Sequence, residues 1–162
     1  MSRRSDPDLL QFAALAVWIG AAGFFSAAVA PALFAVLPSR TMAGDVVGRL
    51  LPEILYSGMI VGVWVAVTQY RERGAWNWRG RETAGVVMLG ACVVAQLIIG
   101  PRIARMRAEI GGPVELLSTD DARRIAFGRL HGVSVAWLGL AMLAAAAALV
   151  GAARTLNSSE GS

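Results

Sequence analysis

Uncharged, mostly apolar positions fill four long runs of this chain, over residues 9–37, 54–70, 83–101 and 130–153, and the charges fall between them. A helix crossing the hydrocarbon of a bilayer needs about 20 such residues. The second run reaches that length when extended back through Leu50, Leu51, Pro52 and Glu53. The pattern predicts an all-α fold: an integral membrane four-helix bundle, one transmembrane domain with spans over about 9–34, 50–70, 83–101 and 129–153. Four crossings put both termini on one side. The first run exceeds the apolar stretch of about 7–15 residues in a signal peptide, so it reads as a true span or anchor.

Proline and glycine punctuate these runs. Pro31 removes the N–H that would bond the Ala27 carbonyl, and its ring clashes there. The first helix must therefore kink, or end and leave a short interfacial piece over 32–37. Pro52 suits the first turn of the second helix, with Glu53 beside it in the favourable field of the helix N-terminus. The connection at 38–49 is short. The one at 71–82 is compact and carries Trp76 and Trp78 at headgroup level. The long segment 102–129 begins as an amphipathic helix with Arg102, Arg105 and Glu109 on one face. The triplet at 111–113, Gly-Gly-Pro, breaks it. A new helix follows, capped by Ser118 or Thr119 with Asp120 and Asp121 in its first turn, and flows into the fourth span.

Composition sharpens this picture. Hydrophobic residues are 56% of the 162, charged residues 16%, which is too apolar for the surface of a soluble domain of this size. All 15 basic residues are arginines and the net charge is +4. In a soluble chain that excess would suggest nucleic acid. Here the arginines flank apolar runs, where they contact lipid headgroups and set topology, so the partner is the bilayer and not nucleic acid. They divide almost evenly between the two ends. The dense 71–81 loop tips the balance toward cytoplasmic termini in a multi-pass cell inner membrane protein. Cys92 is the only cysteine, so no internal disulfide forms.

Few residues can carry chemistry. His131, the only histidine, starts the fourth span, where it can ligate a metal or haem iron, relay a proton, or simply fix packing. Ser134 lies one turn on. A metal held by His131 would need Asp45, Glu53, Cys92, water or a second protomer as further ligands. Arg129, Arg124 and Arg102 gather at the membrane face that also holds Glu53, Asp45 and Arg49, either to receive an anion or to pair internally. Glu53 is expected to pair with Arg129 or Arg102, because a lone carboxylate at that depth is costly. Pro31, Arg129, His131 and Ser134 are expected to face the bundle interior or its mouth, at the end away from the termini. Gln96 can bridge helices, and Met59, Met88 and Met142 fill the core. Gly58 and Gly62, and the stripe Gly128, Gly132 and Ala136, allow close helix approach within one chain or in a homo-oligomer. No HExxH, P-loop, Rossmann, GxSxG or kinase signature is present.

With FGRLHGVS at 127–134, GFFSAAVAPALF at 23–34 and PSRTMAGDVVGRLLP at 38–52, the chain resembles the DUF4149 or TMEM205-like family of small four-span membrane proteins. In outline it is also similar to CopD-type membrane domains and to small membrane protoporphyrinogen oxidases. The resemblance implies a key role for His131 and a basic role for Arg129. It supplies no second histidine for a haem held by two. The expected function is binding or movement of a small solute or metal ion rather than catalysis. The alternatives are a haem- or porphyrin-linked membrane oxidoreductase and a structural or assembly protein.

Overall fold

The computed structural model describes residues 5–73 and 80–160. Trp76 and Trp78 lie outside the described residues. Within them are four helical rods long and apolar enough to cross a membrane. The first joins helix α1 (Ser5–Phe24) to α2 (Ala30–Val36) through a π-helical turn at Phe25–Val29. The second is α3 (Arg40–Arg73). The third joins α4 (Arg81–Val93) to α5 (Gly100–Ile110) through a π-helical stretch at Val94–Ile99. The fourth is α6 (Ala122–Glu160). The rods form an antiparallel bundle in which α1 packs on α3 and α6, and α4 also packs on α3 and α6. Val17, Ile60 and Leu143 point outward, as lipid-facing residues do.

Both π segments end two residues ahead of a proline, Pro31 and Pro101. A proline cannot donate the usual fourth-residue bond. The turn widens instead, and the N–H groups of Ala30 and Gly100 reach back five residues to the carbonyls of Phe25 and Ala95. The first rod thus neither breaks nor ends at Pro31. It stops at Val36, because Leu37 precedes Pro38 and adopts extended backbone at φ −76°, ψ 146°.

The second rod starts nearly three turns earlier than expected. The Ser39 hydroxyl accepts the Met42 N–H at 3.1 Å and caps α3. Glu115, far along the chain, accepts the Thr41 N–H at 3.2 Å and its hydroxyl at 2.7 Å. Pro52 therefore sits inside α3, not in its first turn, and Glu53 does not benefit from the helix N-terminus. Segment 102–129 behaves largely as its pattern implies. Gly111, at φ 68°, ends α5 in the left-handed region that favours glycine. A short 3₁₀ turn at Val114–Leu116 follows. Asp121 caps α6 by accepting the Arg123 N–H at 2.8 Å, in place of Ser118 or Thr119.

Small residues hold the core tight. Ala141, Ala144, Ala145, Ala148 and Ala152 bury one face of α6. Gly62 on α3 meets Gly85 on α4 so closely that a Cβ on either would lie 2.9 Å from a backbone oxygen of the other. A Cβ on Gly58 would lie 2.8 Å from Cys92 Sγ and from the Trp18 ring. The GxxxG of α3 is thus used within the chain. Trp18 completes the crossing by donating its indole N–H to the Ile54 carbonyl at 2.9 Å. Met88 is buried in this core, and Met59 and Met142 pack against it.

Candidate functional site

Asp45, Arg102, Arg129 and His131 come to the bundle end away from the termini, but not as one cluster. Asp45 on α3 pairs with Arg107 on α5 at 2.5 Å. Gly44 makes room, since a Cβ there would collide with Arg107 Nη2. The Arg107 guanidinium also sits 5.6 Å from the Phe127 ring centroid, and Phe127 stacks in parallel on His131 at 6.5 Å. A surface chain of contacts thus ties α3, α5 and α6 together.

Several expectations fail here. His131 is exposed on the outer surface, not in the interior, because it falls to one side of the alanine face that α6 turns inward. Pro31 is exposed as well. Ser134 alone of the four faces inward. Glu53 is exposed, and among the described residues its carboxylate forms no ion pair with Arg129, Arg102 or any other cation. With α3 beginning at Arg40, Glu53 lies in mid-helix on an outward face. Gln96 is half-buried and makes no side-chain hydrogen bond among the described residues. No three His, Cys, Asp or Glu side chains among them gather as a metal would require.

What the same end does form is a groove of about 690 Å³ between α5 and α6. One wall carries Arg102, Arg105, Met106 and Glu109, one face of α5 at helical spacing. The other carries Ile125, Ala126, Arg129, Leu130 and Val133 from α6. Arg102, Arg105 and Arg129 are exposed and form no ion pair among the described residues. Their neighbours Arg107 and Arg123 are held by Asp45 and Asp121, and Arg124 bonds the Leu117 carbonyl at 2.7 Å. Three uncommitted guanidiniums and the Glu109 carboxylate therefore rim an apolar bed. Arg102 and Arg129 were legible as candidates; Arg105 was legible only as part of the α5 face.

The family model for a domain of unknown function, DUF4149, matches residues 13–111. The chain belongs to the DUF4149 family. No curated protein and no solved structure matches it. The DUF4149 match begins within α1, at residue 13, and runs through α5, so the arginine wall on α5 lies inside it. The α6 wall and His131 lie beyond it.

A second polar cluster of this DUF4149 protein lies at the opposite end, where α1 begins and α6 nears its end. Arg81, only 6% exposed, donates to Asp8 at 2.7 Å. Gln11, one turn from Asp8 and fully buried, donates to the Thr68 hydroxyl. Gln69 and Glu82 are buried beside them. A Cβ on Gly151 would lie 2.7 Å from Arg81 Cγ, so α6 closes over the arginine. Arg81 reads from sequence as a loop charge. Its position at the first residue of α4, packed on α1 and α6, makes it a structural ion pair instead.

Proposed function

We propose that this multi-pass membrane protein binds an anionic amphiphile in the α5–α6 groove. Arg102, Arg105 and Arg129 hold the head, and Met106, Ile125, Leu130 and Val133 receive the start of the tail. The supporting observation is the pairing of three uncommitted arginines with an apolar bed in one groove at the membrane edge. Guanidiniums match phosphate and carboxylate geometry, and their stems lie along apolar surface while the charge stays wet. A soluble anion would use the arginines but leave the bed without a partner.

The narrower likeness to TMEM205-like and CopD-like proteins would give His131 a metal or haem. The residues do not fit that group. His131 is exposed and stacked on Phe127, and no second ligand lies with it among the described residues. We place the protein in a cell inner membrane with cytoplasmic termini, on the strength of the arginines at 71–81. In that orientation the groove opens toward the outer surface.

Native mass spectrometry of the full chain, released from a neutral detergent after incubation with phosphatidylglycerol, tests the reading. The wild type retains one lipid through detergent exchange. A triple R102A/R105A/R129A variant of unchanged helicity loses it. Equal retention by both proteins contradicts the proposal and favours a purely structural role.

A further inference from the structure

Given an amphiphile in this groove, we infer that its head is a phosphomonoester, carrying close to two negative charges, and not a phosphodiester. The groove's charged residues are Arg102, Arg105 and Glu109 on α5 and Arg129 on α6. Three cations and one anion leave a charge of +2, which a dianionic head balances and a phosphodiester leaves half-unmet. The oxygen count agrees. A phosphomonoester presents three terminal oxygens, one for each guanidinium, whereas a diester presents two, and charge-assisted bonds of this kind are the strong ones.

Glu109 lowers the net charge of the groove without bonding to an arginine. It follows Arg105 by four residues, the less favourable order for a helical ion pair, and it forms no ion pair among the described residues. It lies about 6 Å further along the α5 axis than Arg105, toward the outer end of the groove. The α6 wall offers only Ala122 toward that outer end. Glu109 therefore acts as an outer limit that repels an anionic head and keeps it among the arginines. Asp121 and Arg123, at the start of α6, neutralise each other.

The phosphomonoester has its second pKa near 6, so its advantage must fade in mild acid. His131, the only histidine, is absent from the groove walls, and an H131Q variant separates any part it plays from that of the lipid head. The test is equilibrium binding of tail-labelled fluorescent phosphatidate and phosphatidylglycerol to the full chain in neutral detergent, with inorganic phosphate as competitor. At pH 7.5 phosphatidate binds about tenfold more tightly, the worth of one further charge-assisted bond. At pH 5.5 that preference shrinks severalfold, and does so equally in H131Q. E109Q strengthens phosphatidate binding. Millimolar phosphate alone does not displace the lipid. Equal affinity for both lipids at pH 7.5, or a preference unchanged at pH 5.5 or lost in H131Q, overturns the inference. If the triple-arginine variant binds both lipids as the wild type does, the groove itself is refuted. If it loses both while the wild type fails to discriminate, only the phosphomonoester assignment falls.

Discussion

Asp45 and Arg107, separated by 62 residues of chain, meet at 2.5 Å, with the Arg107 guanidinium set over the backbone of Gly44. This contact fixes α5 against α3 and so sets the back of the groove wall that presents Arg102 and Arg105. Both side chains are solvent-accessible, at 29% and 57%, so the pair itself contributes less than about 1 kcal/mol. D45N is expected to lower thermal stability slightly. G44A displaces the guanidinium from both Asp45 and Phe127 and has the larger effect on lipid retention. A G44A protein with unaltered retention contradicts the positioning role.

The α3–α4 crossing gives a sharper expectation. At Gly62 and Gly85 the atoms met by an added Cβ are backbone, which cannot swing away. Gly62→Val or Gly85→Val is expected to cost about 1–3 kcal/mol in unfolding from detergent. Nothing lies within 4 Å of a Cβ on Gly128 or Gly132, and alanine there leaves the melting temperature within a degree or two. Equal tolerance at all four glycines would be inconsistent with the close crossing.

Arg81 and Asp8 are the most buried ion pair among the described residues, and removing one partner leaves the other charge enclosed. R81A is expected to destabilise the protein by about 3 kcal/mol, more than any single change in the groove. A double-mutant cycle with D8N recovers part of that loss. If R81A melts like the wild type, the pair is not holding α1, α4 and α6 together.

Much of this was written in the chain. The four uncharged runs specify four spans, and Gly-Gly-Pro at 111–113 ends α5 because only a glycine enters the left-handed conformation easily. The starts of elements were less legible. Pro52 looks like a first-turn proline, but Ser39 and the distant Glu115 cap α3 well before it, and a tertiary cap of that kind leaves no local signal. His131 and Glu53 were singled out for their chemistry, yet which face of an all-apolar helix turns inward depends on where its alanines pack. Arg81 was hidden for the opposite reason, since its partner Asp8 lies at the far end of the sequence. Arg102 and Arg129 converge because the connection over 111–121 turns the chain back and lays α6 along α5, and the Gly-Gly-Pro that opens it was visible.

The Glu115 clamp on Thr41 has a pH signature. Hydrogen bonds from Thr41 hold the Glu115 carboxyl below its ordinary range. Its contribution is therefore complete above the unfolded value near 4.5 and is lost as pH falls through the lower folded value. Amide exchange at Thr41 is expected to quicken below about pH 4, beyond the intrinsic trend, and E115Q to remove that excess. An excess that persists in E115Q assigns the effect to another group.

Mapping where a lipid touches the protein tests the central claim most directly. A phosphatidate carrying a photoreactive group next to its head, activated on the full chain and located by peptide mass spectrometry, should label residues 102–109 and 122–133. The label should vanish from both stretches in R102A/R105A/R129A. Labelling spread evenly over the outward faces of all four rods, and unchanged in that variant, would contradict a lipid site between α5 and α6.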